Sequence, residues 1–351
     1  MTSWPRTKQL WTHRYHKYSH IGGKYLSGWY KYAKLRLLKL KLGNRPLIAI
    51  VLSEQMGDVV ACEPVAREVR RRYPNGHLVW FIRKPYLDLI QYNPVIDCHV
   101  IEKCPGERVF LLSTGIFDHV YNMHLSHRRC KYCKEDPVNP LADQLGMTYA
   151  NYYNHGDLLY FFSQAAGLPA MTDEPRMYIP DEAVRRVDSL GLPTDYVVIH
   201  CQSSFAPRDW PAHNWDQLVK WLLETGRYTV VEVGLSPTVH NADPHFVSLC
   251  GKLSILETAE VIKRSTLFVG IDSGPAHFAN ATGAEGVILL GKLFDFVEYL
   301  PYSGRYKRGE GVTILNQIGH PCSELPYEWV QQAVENHLTK RKIDQPHWGG
   351  V

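Results

Sequence analysis

Short apolar runs alternate with helical patterns from residue 46 onward, and this alternation predicts an α/β protein. Each run is bounded by turn-forming residues and has the length of one buried strand. The predicted strands are 46–52, 78–82, 96–101, 119–124, 196–200, 228–233, 267–271 and 287–290. The predicted helices are 59–72, 86–92, 155–166, 213–224, 255–264 and 327–340. Strands separated by helices form parallel sheets covered on both faces, so we expect the doubly wound class.

The chain of 351 residues is long for one hydrophobic core, and its pattern falls into two series. A proline-rich connection at 168–180 separates them. We predict two Rossmann-like domains, 46–178 and 179–325, that face each other across a cleft at the carboxyl ends of their strands. Residues 1–45 are then an N-terminal extension, and residues 326–351 are a C-terminal helix and tail.

The N-terminal extension is basic and aromatic. Residues 1–53 contain 11 basic residues and no acidic ones, although the net charge of the whole chain is only +4. The basic residues are Arg6, Lys8, Arg14, Lys17, Lys24, Lys31, Lys34, Arg36, Lys39, Lys41 and Arg45. Leu35, Leu38 and Leu42 share one stripe of a helix, and the tryptophans and tyrosines suit a water–lipid boundary. We expect an anionic membrane surface as partner, and the alternative is an arm that packs on its own protein. Nucleic acid is not expected, because no nucleic-acid-binding motif accompanies the arm.

Composition and cysteine usage indicate a cytoplasmic protein. Hydrophobic residues make up 45% of the chain, and no apolar run approaches the roughly 20 residues that span a bilayer. The basic N-terminus leads into no apolar segment typical of a secretory signal. The eight cysteines are scattered, which indicates a reducing compartment rather than a disulfide framework. Together with the basic extension, this predicts a peripheral position at the inner face of the cytoplasmic membrane.

Two of the loops that follow predicted strands carry candidate chemistry. In the first, Gly57 gives the backbone freedom and Asp58 opens a helix. As an N-cap Asp58 would be structural, whereas as a cleft carboxylate it can accept a proton from an incoming hydroxyl. The second contains Ser203, Ser204 and Arg208, which suit a pyrophosphate because arginine binds phosphate oxygens in a fork. The alternative is a surface ion pair of Arg208 with Asp209.

The turn after the strand at 267–271 reads Asp272-Ser273-Gly274-Pro275 and begins a helix that contains His277. Asp272 or Ser273 can cap this helix, Pro275 suits its first turn, and Gly274 lets a ligand approach the backbone. Unpaired N–H groups and the positive end of the helix dipole form an anion-binding site, and phosphate is the commonest ligand of such sites. The alternative is a plain turn without a ligand.

Four sequence blocks together resemble glycosyltransferase family 9, the ADP-heptose:lipopolysaccharide heptosyltransferases and their relatives. The match covers most of residues 46–340, and the order and spacing of the blocks make it specific. The blocks are Met56-Gly57-Asp58-Val59-Val60 with Pro64 and Arg70-Arg71-Arg72-Tyr73-Pro74, then Ser203-Ser204 with Arg208-Asp209-Trp210-Pro211 and Asn214-Trp215, then Leu249-Cys250-Gly251-Lys252, and Val269-Gly270-Ile271-Asp272-Ser273-Gly274-Pro275-Ala276-His277. The family has the GT-B fold of two facing Rossmann-like domains.

The resemblance implies an inverting glycosyltransferase that moves a heptose-like sugar from a nucleoside diphosphate to a hydroxyl of a cell-surface glycan or glycolipid. It makes Asp58 the general base and Gly57 part of the acceptor-side loop. The implied donor-binding residues are Ser203, Ser204, Arg208, Asp272, Ser273, Gly274, Pro275 and His277. No divalent metal or cofactor is expected, an ADP-linked donor is favoured, and the acceptor is lipid-linked or a polysaccharide. In members with known donors, acidic residues in the loop after the strand at 228–233 help hold the nucleoside. Residues 234–239 contain none, so the identity of the nucleotide base stays open.

Two other functions fit the same architecture. One is a non-catalytic module that binds a sugar nucleotide or a lipid. The other is a sugar-nucleotide epimerase, which requires acid and base groups on both sides of the sugar. Only Asp58 is well placed for such a role, so the transferase is preferred.

A separate constellation, His124, His127, Cys130 and Cys133, recurs every third residue, and all four are zinc-ligand types. On a continuous helix this spacing turns by about 60° per step, so the four side chains could not converge on one ion. An irregular loop would permit convergence. The alternative, which we prefer, is a reduced pair of cysteines in a variable loop.

Overall fold

The structure, a computed structural model, describes residues 4–344 and falls into two compact units. The first unit contains residues up to 55 together with Val65–Tyr152 and Phe161–Met171. The second contains Met56–Pro64, Tyr153–Tyr160 and the residues from 172 onward. The second unit therefore includes two short segments that come from within the first half of the chain.

Helices and strands alternate through most of the chain. Up to residue 171 the elements are α1 (Trp4–Leu42), β1 (Leu47–Val51), α2 (Met56–Ala61), α3 (Glu63–Arg72), β2 (His77–Ile82), α4 (Asp88–Gln91), β3 (Cys98–Ile101), α5 (Pro105–Ser113), β4 (His119–Asn122), α6 (Pro140–Gln144) and α7 (Leu158–Ala165). The later elements are α8 (Asp181–Asp188), β5 (Tyr196–His200), α9 (Ala212–Glu224), β6 (Thr229–Glu232), β7 (Phe246–Ser248), α10 (Ile255–Arg264), β8 (Leu267–Ile271), α11 (Gly274–Thr282), β9 (Gly286–Leu290), β10 (Val312–Asn316) and α12 (Tyr327–Asp344). Residues 345–351 of the predicted C-terminal tail lie outside the described residues.

The first unit contains a four-stranded sheet in the order β3-β2-β1-β4. Every pair of neighbouring strands is parallel. All five residues of the central strand β1 are buried, as a strand covered on both faces requires. Apolar runs of this kind predicted the parallel α/β class, and the structure confirms it.

The second unit contains a six-stranded sheet in the order β10-β9-β8-β5-β6-β7, again with all neighbours parallel. The chain runs outward from β5 in one direction through β6 and β7, and in the other from β8 through β9 and β10. The topological switch point therefore lies between β5 and β8. In open parallel sheets ligands bind outside the carboxyl ends of the strands at this point.

The sequence pattern missed five elements and merged two others. Strands β7 and β10 are mostly half-buried, and the helices α5, α6 and α8 were also not predicted. The helix predicted at 59–72 is in fact two helices, α2 and α3, separated at Cys62. Pro64 stands in the first turn of α3, where the missing N–H has no intrahelical partner to lose.

One face of α1 packs on the first unit. Leu35 is 5% exposed within the core that includes Leu47 and Phe81, and Leu38 and Leu42 pack against the same core. The leucine stripe that the sequence placed at a lipid boundary therefore faces the protein itself, as the alternative interpretation expected. Among residues 4–344, no helix combines the length and the apolar character that a membrane span requires.

Three lysines of α1 reinforce this packing. The Lys31 ammonium donates to the buried carboxylate of Glu107 at 2.7 Å and to the carbonyl of Ile101 at 2.6 Å. Lys39 binds Asp118 at 2.8 Å, and the almost fully buried Lys24 binds the carboxylate of Glu135 at 3.0 Å. These ion pairs neutralise three of the positive charges that the sequence analysis assigned to the N-terminal extension.

We expect Leu35→Ala to lower the free energy of unfolding of the first unit by about 3 kcal/mol, because it leaves a cavity in the core. Leu37→Ala is the matched control on the same helix, since Leu37 is 61% exposed, and its effect should stay within about 0.5 kcal/mol. Urea unfolding combined with hydrogen exchange of β1 measures both values. Equal effects of the two substitutions would show that α1 does not pack through Leu35.

Candidate functional site

The loops after β5 and β8 start side by side in the second unit. The two strands are parallel neighbours, with Ile199 opposite Val269 and His200 opposite Gly270. The loop after β5 carries the predicted serines and arginine, and the loop after β8 carries the Asp-Ser-Gly-Pro turn. Two of the three predicted loops thus meet at the switch point of the sheet.

Asp272 is a buried carboxylate that is held from three directions. Its Oδ2 accepts hydrogen bonds from Arg208 Nη1 at 3.3 Å and from the Tyr299 hydroxyl at 2.9 Å. Its Oδ1 accepts one from the Tyr302 hydroxyl at 3.0 Å. Burial and the neighbouring Asp272 charge raise the pKa of both tyrosines well above the usual value, so both hydroxyls remain donors. The local role of Asp272 is therefore to fix the position of the arginine and the tyrosines.

Arg208 keeps hydrogen-bonding capacity beyond its pair with Asp272. Its Nε is buried and has no hydrogen-bond partner within the described residues. A buried donor without a partner is unfavourable by roughly 1–3 kcal/mol, which an added acceptor would relieve. The alternative pairing with Asp209 is not formed, because Asp209 accepts the backbone N–H of Ser203 at 2.8 Å while Arg208 turns to Asp272.

The two predicted serines differ in their surroundings. The Ser203 hydroxyl donates to the carbonyl of Phe205 at 2.9 Å and accepts from the amide of Phe205 at 3.0 Å, so it stabilises the loop itself. Ser204 is exposed. A direct contact of either hydroxyl with a ligand remains a prediction.

The start of α11 has the geometry of an anion site. Ser273 is the N-cap residue with extended backbone, and Pro275 occupies the first turn. The Ser273 hydroxyl does not cap the helix and instead donates to the carbonyl of Ile271 at 3.3 Å. The amide of Ala276 already donates to the carbonyl of Ser273 at 3.1 Å. Gly274 is the first helical residue, so its amide N–H has no hydrogen-bond acceptor within the helix.

Two glycines allow α2 to pack closely on α11. A Cβ at Gly57 would lie 2.6 Å from the ring of His277, and a Cβ at Gly274 would lie 2.5 Å from the sulfur of Met56. Neither position can carry a side chain without moving its neighbour. Asp58 follows Gly57 directly and is half-buried in the first turn of α2, not at its N-cap. The segment that bears the predicted base therefore belongs to the same compact unit as the predicted donor site.

His277 lies beneath this contact as a neutral side chain. Burial lowers its pKa to about 4, with smaller opposing effects of Asp272, which raises it, and Arg208, which lowers it. Its ring lies 4.8 Å from that of Tyr302. His277 thus links the Gly57 segment to Tyr302, one of the two tyrosines that hold Asp272.

The histidines of the predicted zinc set are engaged elsewhere. His124 is buried, and its Nε2 accepts the backbone N–H of Ser53 at 3.1 Å. His127 is exposed, and its Nδ1 lies 3.3 Å from a carboxylate oxygen of Asp136. The structure does bring Cys130 and Cys133 together, but with two other residues.

Sequence reasoning missed Tyr299, Tyr302 and the role of Glu232. The only sequence signal for the first pair was two tyrosines three residues apart around a proline, and the local pattern does not indicate their partner. Glu232 is buried at the end of β6 and accepts the backbone N–H groups of Thr238 and Val239 at 2.7 and 3.3 Å. It therefore shapes the loop at 234–239, which lacks acidic residues of its own.

Comparisons with known proteins find relatives among the glycosyltransferases. Residues 156–305 match the sequence profile described as glycosyltransferase family 9 (heptosyltransferase). The chain is 22% identical over 335 residues to lipopolysaccharide heptosyltransferase 3 of Escherichia coli strain K12, covering 80% of this chain and 95% of the relative.

Two solved structures show the same fold. The family 9 glycosyl transferase of Veillonella parvula has a TM-score of 0.66 at 19% identity, over 84% of this chain and 98% of its own. The ADP-heptose lipopolysaccharide heptosyltransferase II of E. coli has a TM-score of 0.61 at 17% identity, over 85% and 99%. The predicted GT-B fold class is confirmed.

We expect the buried neutral His277 to make stability depend on pH. Its pKa of about 4 lies below the usual 6.5, so the unfolded chain binds more protons between these values. The contribution of His277 is full above pH 6.5 and falls by about 3 kcal/mol as the pH drops to 4. The unfolding free energy of the wild type minus that of His277→Gln, measured from pH 8 to 4, should therefore fall as the pH falls. The exposed control His213→Gln should follow the wild type, and an unchanged slope in His277→Gln would contradict a neutral buried His277.

Proposed function

We propose that the chain is an inverting heptosyltransferase of lipopolysaccharide biosynthesis, and the match of residues 156–305 to glycosyltransferase family 9 supports this proposal. The proposed donor is ADP-heptose and the proposed acceptor a hydroxyl of a growing lipid-linked glycan. The names of the two E. coli relatives support both choices. The observation that carries the proposal is the close packing of α2 on α11, which joins the Asp58 segment to the Asp-Ser-Gly-Pro turn within one unit.

In this proposal the donor diphosphate is bound at the switch point of the second sheet. The guanidinium of Arg208 neutralises the leaving diphosphate, and its Nε, which has no hydrogen-bond partner among residues 4–344, supports this role. The amide of Gly274 and the dipole of α11 add partial positive charge at the same turn. Ser203, Ser204 and Ser273 supply the remaining polar contacts, while Pro275 keeps the first turn of α11 rigid.

Asp272 and His277 then act by positioning. Asp272 holds Arg208 and two tyrosine hydroxyls in place, so that the charged groups do not reorganise when the diphosphate departs. His277 maintains the spacing of α2 and α11 through its contact with Gly57. With Arg208 and the helix end to neutralise the diphosphate, the reaction as proposed does not require a divalent metal.

Asp58 is the proposed general base. It removes the proton of the acceptor hydroxyl while that oxygen attacks the anomeric carbon from the face opposite the diphosphate, which inverts the configuration. Its position directly after Gly57, on the helix that packs on α11, supports this assignment.

We expect Asp58→Asn to abolish transfer from ADP-heptose to a lipopolysaccharide-core acceptor while the Kd for ADP stays within about twofold, since only the proton acceptor is removed. Release of ADP and formation of the glycosylated acceptor are measured together, and the exposed Asp216→Asn serves as control. Substantial residual transfer would remove Asp58 from the base role. Wild-type protein that binds ADP-heptose without turnover would indicate a binding module, and acceptor-independent interconversion of the donor sugar would indicate an epimerase.

The proposed site of action is the inner face of the cytoplasmic membrane, with the outer face of α1 against anionic lipid. This face is opposite the packed leucines and exposes large apolar side chains: Trp11, Tyr15, Tyr18, Leu26, Trp29, Tyr30, Leu37 and Leu40. Basic residues flank it, and the absence of acidic residues from 1–53 makes the charge complementary to an anionic surface.

We expect the triple substitution of Leu26, Leu37 and Leu40 by Gln to reduce binding to phosphatidylglycerol-containing vesicles by at least about tenfold, because the apolar contact area is lost. The control replaces Leu235 and Val297 by Gln, two exposed apolar residues of the second unit, and should bind like the wild type. Vesicle co-sedimentation measures the bound fraction. Equal loss in both variants, or no binding by the wild type, would contradict the membrane assignment.

A further inference from the structure

Four metal-ligand side chains meet in the first unit, whereas the residues of the proposed donor site belong to the second. They are His20 of α1, Cys104 at the start of α5, and Cys130 and Cys133 in the loop between β4 and α6. One ligand atom from each lies within 4.8 Å of all the others. The edge of a tetrahedral site with zinc–sulfur bonds of typical length is about 3.8 Å, so the four atoms already have nearly the required spacing.

The loop around Cys130 is folded so that both of its thiols point to one place. The amide of Cys130 donates to the carbonyl of Glu135, and the amide of Lys134 donates to the carbonyl of Cys130, both at 3.0 Å. Lys134 has a φ of 63°, the left-handed conformation that reverses the chain directly after the second cysteine. This is the irregular loop that allows two cysteines three residues apart to bind one ion, which a continuous helix would prevent.

The other two ligands come from elements far away in sequence. Cys104 is the N-cap residue of α5, with extended backbone, and its thiol is buried. Gly106, in the first turn of the same helix, lets this turn approach the loop, because a Cβ there would lie 2.6 Å from the sulfur of Cys133. His20 reaches the cluster from α1, with Nε2 3.5 Å from the sulfur of Cys130.

We propose that His20, Cys104, Cys130 and Cys133 bind one zinc ion in a closed structural site that fastens α1 to the first unit. Three cysteines and one histidine are a known ligand set of structural zinc, and four protein ligands leave no open position for catalysis. A disulfide would use only two of the three thiols and would leave the histidine without a role.

The site complements the other anchors of α1. Lys24, one turn after His20, is buried against Glu135 of the same loop, and Leu35 packs about three turns further along the helix. Zinc would therefore fix the helix near its middle, before its last turns reach the core. The proposal concerns residues that the transferase reaction does not use, and it stands independently of the proposed function.

The test is the metal content of the full-length protein purified without chelators, measured by inductively coupled plasma mass spectrometry. We expect about one zinc ion per chain, with a zinc-edge X-ray absorption spectrum that fits three sulfur and one nitrogen ligands. His20→Gln and Cys104→Ser should each lose most of the zinc. The matched controls are His127→Gln and Cys98→Ser, which change a histidine and a cysteine of the same unit outside the cluster and should keep it.

If the ligand variants fail to fold, wild-type protein answers the question by cobalt exchange. Replacement of zinc by cobalt(II) should produce the intense visible bands of tetrahedral cobalt and a thiolate charge-transfer band, and the controls should give the same spectrum. Any one of four results would overturn the proposal. The wild type could contain only trace zinc, or it could contain iron in place of zinc. The other two are zinc retained by His20→Gln and a disulfide between two of the three cysteines in metal-free protein.

Discussion

The close approach of α2 to α11 is the constraint on which the candidate site depends. Two helices can come this near only where one of them carries a glycine at the contact. Here each helix supplies one: Gly57 of α2 lies against His277, and Gly274 of α11 lies against Met56. The same contact that packs the unit also sets where Asp58 stands relative to the turn at Ser273. The packing contact and the proposed chemistry therefore involve the same two segments of the chain.

A second consequence is the organisation of charge around Asp272. A buried carboxylate is tolerated when it is fully hydrogen-bonded, and Arg208, Tyr299 and Tyr302 provide that pairing. The arginine is thereby held in position, and in the part of the chain that the structure describes its Nε has no hydrogen-bond partner. An arrangement that is fixed in advance stabilises a leaving diphosphate without reorganisation, which is the property that an electrostatic site requires.

The N-terminal helix combines features that composition alone could not separate. Its inner face carries leucines and lysines that pair with acidic residues of the first unit, while its outer face keeps aromatic and apolar side chains exposed. The cluster of His20 with three cysteines lies on the inner side of the same helix. One helix can thus be an integral part of a domain and still present an unpartnered surface.

The sequence by itself determined the α/β class, the strand Leu267–Ile271, the helix Ile255–Arg264 and the turn that follows the strand, because local apolar periodicity and turn chemistry encode such elements. It also identified the residues of the switch-point loops, which follow strands directly. Only the tertiary structure decided that β7 and β10 complete the sheet, that the Tyr302 hydroxyl binds Asp272, and that Cys130 meets His20 rather than His124. These contacts join residues far apart in the chain, and their formation depends on how whole elements pack, which no local pattern records.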